Sequence, residues 1–223
     1  MFYEPRLRNH GLRHDPFKAL VVPRPIGWIG TVDAGGRPNL APYSFFNAVA
    51  DRPPMVVFSS AGRKHSVANI EQTGEFTCSL AGYGQRAAVN MTSATVAAGV
   101  DEFALAGLEP ASSLRVKPPW VKGAPAALEC RLWRVIELPP SNPDRGAEAH
   151  QMVIGEVIGI HVVDSYIRDG RVDTGAMRAL SRLGYMDYAV LEAATIFSMN
   201  RPEVGADGRS ATVSDTPWDG VYR

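Results

Sequence analysis

Glycine and proline cut this chain into short pieces, with 21 Gly and 17 Pro among 223 residues. Glycine costs a helix interior about 1 kcal/mol relative to alanine, and proline about 3 kcal/mol. With roughly one residue in six of these two types, many turns and a strand-rich fold are favoured over a helical bundle. The pieces between the breaks carry enough apolar material for a core, because 45% of residues are hydrophobic and 21% charged. Global disorder is excluded by that composition. The length suits one ordinary domain.

Charge narrows the function classes. The 23 Lys and Arg balance 23 Asp and Glu, which argues against a main task on nucleic-acid phosphates or anionic lipid. No apolar run approaches the ~18 residues of a membrane helix. Met1–His14 is polar and basic without an apolar segment, so no secretory signal is expected there. Cys78 and Cys130 fall in strand-like stretches and read as buried free thiols in a reducing cytoplasm, the expected location.

Along the chain, residues 1–18 read as an irregular lead-in. A strand at 25–32 ends in the turn signal Asp33-Ala34-Gly35-Gly36, and a returning strand follows at 39–46. Pro42 places that second strand at an edge or bulge, since proline donates nothing to a ladder. A short buried strand is predicted at 55–60, a helix at 64–72 stopped by Gly74, a strand at 75–80 and a short helix at 84–91. Residues 92–124 read as an excursion packed on the barrel, with a helical turn at 101–105. Long strands are expected at 126–138 and 150–163, the second apolar on both faces, with a loop at Pro139–Arg145 between them. The expected class is mainly β, or α+β, with a barrel and short flanking helices. Domain limits are placed at 1–17 for the lead-in, 18–194 for the barrel and 195–223 for an exposed C-terminal arm.

The usual catalytic and cofactor signatures are missing: no Gly-x-Gly-x-x-Gly, no P-loop, no Cys-x-x-Cys and no Gly-x-Ser-x-Gly. His10 and His14 are four residues apart, but Gly11 and the polar lead-in argue against a helical metal pair, and no metal is expected. Small polar and basic residues remain at strand exits and a helix start: Ser44, Ser59, Ser60, Arg63, Lys64 and Ser66. An anion there gains hydroxyls, backbone amides, the helix dipole and a cation. The plain structural reading is that Ser66 caps the helix and Lys64 is solvated.

Several ordered motifs then resemble the flavin reductase-like family with the FMN-binding split barrel. They are Arg24-Pro25-Ile26-Gly27-Trp28-Ile29-Gly30-Thr31, Asn39-Leu40-Ala41-Pro42-Tyr43-Ser44-Phe45-Phe46-Asn47 and Pro53-Pro54. Further on come Lys64-His65-Ser66 with Asn69-Ile70, Gly74-Glu75-Phe76, Asn90-Met91-Thr92-Ser93 and Gly99-Val100-Asp101-Glu102-Phe103. Ala106-Gly107-Leu108, Leu128-Glu129-Cys130, Gly155-Glu156-Val157 and Ser181-Arg182-Leu183-Gly184 complete the set, which spans about residues 18–190. His65 stands where similar proteins often carry Asp.

The resemblance implies a homodimer binding FMN near its interface. It puts the flavin ring against the segment Pro42, Tyr43, Ser44 and Phe45, with Thr31 adding a hydrogen bond. It puts the phosphate by Ser59, Lys64 and Ser66, the covering segment at Asn90 and Ser93, and Arg182 near the flavin or the partner subunit. No protein side chain is expected to be catalytic, because the flavin carries the chemistry. The implied activity is hydride transfer from NADH or NADPH to FMN and on to a monooxygenase or small acceptor. A non-enzymatic flavin-binding storage or sensing protein is the alternative on the same barrel, and a barrel without flavin a third.

Overall fold

Local turn chemistry builds the first hairpin in this computed structural model, which describes residues 1–140, 148–214 and 216–221. After α1 (Phe17–Leu20) and β1 (Arg24–Pro25), β2 (Gly27–Val32) turns back antiparallel onto β3 (Pro38–Tyr43). The Asp33 carboxylate accepts from the amides of Gly35 and Arg37, each at 2.9 Å, and pairs with the Arg37 guanidinium at 2.6 Å. Gly36 takes the left-handed φ of +82° that the turn requires.

The expected strand at 39–46 is two strands. β3 stops at Tyr43, and β4 (Phe46–Asp51) starts after a break at Ser44 and Phe45. Nearly every β4 side chain is exposed, so the segment carries no apolar alternation to announce it. β5 (Pro54–Ala61) alternates, with Val56, Phe58 and Ser60 inward and Met55, Val57 and Ser59 half-buried on the other side. α2 (His65–Thr73) ends where Gly74 turns left-handed and returns its N–H to Ile70 O at 2.8 Å. β6 (Glu75–Leu80) lies where the sequence places it. α3 (Arg86–Met91) follows a 3-10 turn at Tyr83–Gln85.

α4 (Glu102–Leu105) is N-capped by Asp101, whose carboxylate accepts from Phe103 N at 2.9 Å and Ala104 N at 3.3 Å. The excursion holds a small hairpin of β7 (Pro110–Ala111) and β8 (Trp120–Val121), and it packs inward through the buried Phe103 and Val121. Strands β9 (Ala126–Glu137) and β10 (His150–Val162) are the longest. β10 carries its fully buried positions at Val153, Gly155 and Val157 rather than on both faces. Residues 141–145 of the expected loop lie outside the described residues.

Antiparallel pairing gives the order β3-β2-β6-β9-β10-β5-β4. Its two edge strands are joined by residues 44 and 45 alone, so the sheet curls until its edges meet at one end. The result is a sheet-rich α+β split barrel. Pro42 sits on an edge strand, as its chemistry demands. Leu40 N points out of the sheet to the Glu102 carboxylate at 3.1 Å, and period-2 alternation puts residues 38 and 42 on the same outward side. Both are proline, so the free edge of β3 offers no unpaired amide of its own.

Val67 and Ile70 of α2 fill the barrel with Ile29, Phe58, Phe76, Cys130 and Val153. A second cluster of Trp28, Leu40, Phe103, Val121 and Leu180 fills the space beneath the excursion. Each such side chain contributes roughly 1.5–3 kcal/mol through burial. Trp28 is core, and its Nε1 donates to Thr92 Oγ1 at 2.9 Å. Cys78 and Cys130 are buried and free, and burial pushes the Cys78 thiol up to about 12.

The remaining chain forms a hairpin of β11 (Ile167–Arg168) and β12 (Arg171–Val172), then α5 (Thr174–Met177). β13 (Leu180–Arg182) and β14 (Tyr188–Val190) join β1 in a small sheet. β15 (Glu203–Val204) and β16 (Ala211–Thr212) pair within an exposed terminal segment. Among the described residues no helix is long and apolar enough to cross a membrane.

Candidate functional site

A cleft of about 270 Å³ opens where β3, the first turn of α2, the segment after α3 and the start of α4 come together. Two side-chain hydrogen bonds fix α2 on the hairpin behind it. Asn39 of β3 donates to Ser66 Oγ at 3.1 Å, and Asn69 of α2 donates to Thr31 Oγ1 of β2 at 3.0 Å. Both bonds are buried, so the helix is held in register on the hairpin. The Tyr43 phenol is buried beside Ser66 and Ser60; burial raises its pKa, and the two hydroxyls offset part of that rise. The Ser60 hydroxyl influences the phenol without meeting hydrogen-bond geometry, and it is a buried oxygen with no bonded partner.

The first turn of α2 is open. Lys64 occupies the N-cap position and no side chain caps the helix. The first bond back into the turn is Ala68 N to Lys64 O at 3.0 Å, which leaves the amides of His65, Ser66 and Val67 without helical partners. Ser66 does not cap, since it lies one residue inside the helix start, and its hydroxyl accepts from Asn39. Arg63 is held by Glu71 at 2.6 Å, whereas Lys64 has no acidic partner among the described residues. The cleft therefore presents amide dipoles, hydroxyls and a cation to whatever enters it.

Six of the residues singled out from sequence line this cleft: Pro42, Tyr43, Arg63, Lys64, Ser66 and Ser93. Ser44 and Phe45 lie just beyond, in the break between β3 and β4; Phe45 is partly exposed, with the Arg24 guanidinium 5.8 Å from its ring. The others are placed elsewhere. Thr31 is completely buried beneath α2, its hydroxyl engaged by Asn69. Ser59 faces away from the cleft, because alternation along β5 turns Ser60 toward Tyr43 instead. Asn90 is exposed and does not line the cleft; its carbonyl anchors Ser93, accepting from Ser93 Oγ at 2.7 Å. Arg182 belongs to the small sheet, where it donates to Tyr188 OH at 2.6 Å and to the Tyr185 carbonyl.

Sequence reasoning gave no site role to Asn39, Asn69 or Glu102, whereas Ser60, named among the strand-exit hydroxyls, is buried beside Tyr43. Asn39 and Asn69 stand inside recognisable motifs and carried that signal. Glu102 stands inside one too, Gly99–Phe103, but a charged residue in a short helical turn reads as solvated. In the structure it is buried to 5% exposure on the cleft wall. A second cavity of about 330 Å³ shares Asn39 and His65 with the cleft and runs toward Arg37. A larger one of about 710 Å³ lies within residues 198–221 and holds none of these groups. No cluster of His, Cys, Asp or Glu fit for a metal ion occurs among the described residues.

Comparison with known proteins identifies the family and the fold. Residues 19–179 match the flavin reductase like domain family. An uncharacterized protein of Deinococcus radiodurans is 35% identical over 77% of this chain and 77% of its own length. The structure of nitrilotriacetate monooxygenase component B from Bacillus cereus superimposes with a TM-score of 0.78 at 32% identity, covering 89% of this chain and 98% of that one. An FMN-binding protein from Thermus thermophilus, with bound p-hydroxybenzaldehyde, shares the fold at a TM-score of 0.69 and 18% identity, covering 89% and 99%.

Proposed function

The chain belongs to the flavin reductase-like domain family, and on that premise we propose that it is an FMN-dependent oxidoreductase. It takes hydride from NADH or NADPH and passes electrons to a monooxygenase or a small acceptor. The observation that carries the assignment is the open first turn of α2 beside an unpaired Lys64 in the cleft. These residues fit a phosphate monoester: three free amides, a cation and nearby hydroxyls match its acceptor oxygens. Bound FMN supplies the redox chemistry.

This chain's own residues then bind, orient and exclude water. Lys64 and the amides of residues 65–67 hold the phosphate. Ser66 is kept in place by Asn39, and Tyr43 lies against it. Pro42–Phe45 would hold the ring. Pro42 has no N–H and Leu40 N is taken by Glu102, so amide donors to the ring's polar edge come from Ser44 and Phe45. Ser93 stands at the mouth, tied to Asn90. The functional unit is residues 18–194, with 195–223 as an arm.

A second copy is proposed to cover the exposed edge strand β4, where Val49 is 54% exposed. Arg182, which does not line its own chain's cleft, then serves the interface. Nitrilotriacetate monooxygenase component B, a component of a monooxygenase system by its name, supports a monooxygenase as the electron acceptor.

Anaerobic rapid mixing of the FMN-loaded protein with NADH or NADPH tests the activity. Loss of the yellow flavin absorbance within turnover time is expected. A spectrum unchanged by both nucleotides overturns the oxidoreductase assignment and leaves a flavin-binding storage or sensing protein.

A further inference from the structure

Glu102 is the one carboxyl in a cleft that otherwise presents cations and donors. It sits at the first position of α4, 5% exposed, and its Oε2 accepts from Leu40 N at 3.1 Å. That bond satisfies part of one oxygen and leaves the carboxyl facing the cleft. A carboxylate and a phosphate sharing a small, partly dry space repel each other, and the mutual repulsion is relieved when one of them binds a proton.

We infer that Glu102 takes up a proton when a phosphate-bearing flavin fills the cleft, turning a repelling carboxylate into a hydrogen-bond donor toward the anion. The inference rests on the placement of the phosphate beside Lys64 and Ser66 given above. It assigns a proton-linked selectivity to the cleft: phosphorylated flavin binds with a proton, and riboflavin binds without one.

The charged and titratable neighbours come from each element packed on Glu102. Asp101, on its own turn, opposes ionisation, and His65 of α2 favours it. The Tyr43 phenol of β3 is itself pushed up by the Glu102 charge. Lys64 and Arg63 line the same cleft, with Arg63 already paired to Glu71. The segment 92–96 contributes no ionisable group. Burial raises the Glu102 pKa, and the Leu40 amide and His65 offset part of that rise. A phosphate raises it further, so the sign is fixed: proton uptake accompanies binding, and affinity rises as pH falls.

The test is calorimetric titration of the full chain with FMN and with riboflavin, in buffers of different ionisation enthalpy, which counts protons directly. The phosphate's own titration near pH 6 contributes in every protein, so the comparison is wild type against Glu102→Gln. Glutamine keeps an oxygen that can accept from Leu40. His65→Asn removes the neighbouring imidazole, and Glu102→Asp keeps the acid if the amide variant folds poorly.

Expected is an uptake with FMN that is larger in wild type and His65→Asn than in Glu102→Gln by roughly half a proton. With riboflavin, wild type and Glu102→Gln should agree. Equal uptake in wild type and Glu102→Gln, with FMN still preferred over riboflavin, overturns the inference and leaves the phosphate placement standing. Less uptake, or more release, with wild type than with Glu102→Gln overturns it as well, since the carboxylate would then be accepting from the ligand. Equal affinities for FMN and riboflavin instead remove the phosphate placement itself.

Discussion

Asn39 donates through Nδ2 to the Ser66 hydroxyl at 3.1 Å, tying the edge strand of the barrel to the first turn of the helix that faces the cleft. The two residues are 27 positions apart and both are buried. The first turn of α2 has no side-chain cap, because its N-cap position is Lys64, which carries no acceptor. The Asn39–Ser66 bond serves stability and site geometry together. Asn39→Ala should cost about 1–2 kcal/mol in urea unfolding, the loss of a buried bond plus an unpaired hydroxyl. FMN affinity should fall in the same variant. Unchanged unfolding with intact FMN binding would show that the bond contributes nothing.

Lys64→Ala should weaken FMN by ten-fold or more, since a charge-assisted contact is worth roughly 1.5–3 kcal/mol. Riboflavin has no phosphate and should lose little. Fluorescence quenching titrations of both ligands decide the matter, and equal losses would place Lys64 in folding rather than in phosphate binding.

Gly30→Ala should destabilise the barrel without touching the cleft. An added Cβ would lie 2.4 Å from Thr77 Oγ1 and 2.5 Å from the Pro119 carbonyl oxygen. The backbone of the excursion would have to move, at a cost of about 1–3 kcal/mol. A thermal midpoint equal to wild type would refute the close approach.

Glu129 supplies a pH-dependent tie between barrel and excursion. Fully buried, it accepts from Leu114 N at 2.7 Å, Arg115 N at 2.6 Å and Val116 N at 3.1 Å, and lies 2.5 Å from His161 Nε2. Desolvation alone would raise its pKa, but the Leu114 and Arg115 amides and His161 outweigh it and hold the carboxyl below the usual glutamate range. A carboxyl depressed in the folded state stabilises above its unfolded pKa of about 4.3, and that contribution is lost as pH falls through the folded value. Glu129→Gln should thus cost about 1–3 kcal/mol at neutral pH. The gap to wild type should narrow below about pH 4. Parallel stability curves for the two proteins across that range would contradict it.

Local chemistry alone determined much of this protein. The Asp33–Gly36 turn, the stop of α2 at Gly74, the cap at Asp101 and the extent of β6 each depend on neighbours in sequence, and each stands where the residues place it. The ordered motifs likewise carried the family and its split barrel. Tertiary structure decided what depends on partners far along the chain. β4 exists only as the far edge of a sheet that β5 completes, and its exposed side chains leave no pattern to read. Ser59 and Ser60 are adjacent and alike in type. Which one faces Tyr43 is settled by the phase of β5 against β10 and β4. Thr31 and Arg182 are polar residues in matching motifs, yet packing commits one to Asn69 and the other to Tyr188. Glu102 becomes a buried acid because α4 docks on an edge strand whose other outward positions are proline. Desolvation is a property of the assembled surroundings, and no single segment contains it.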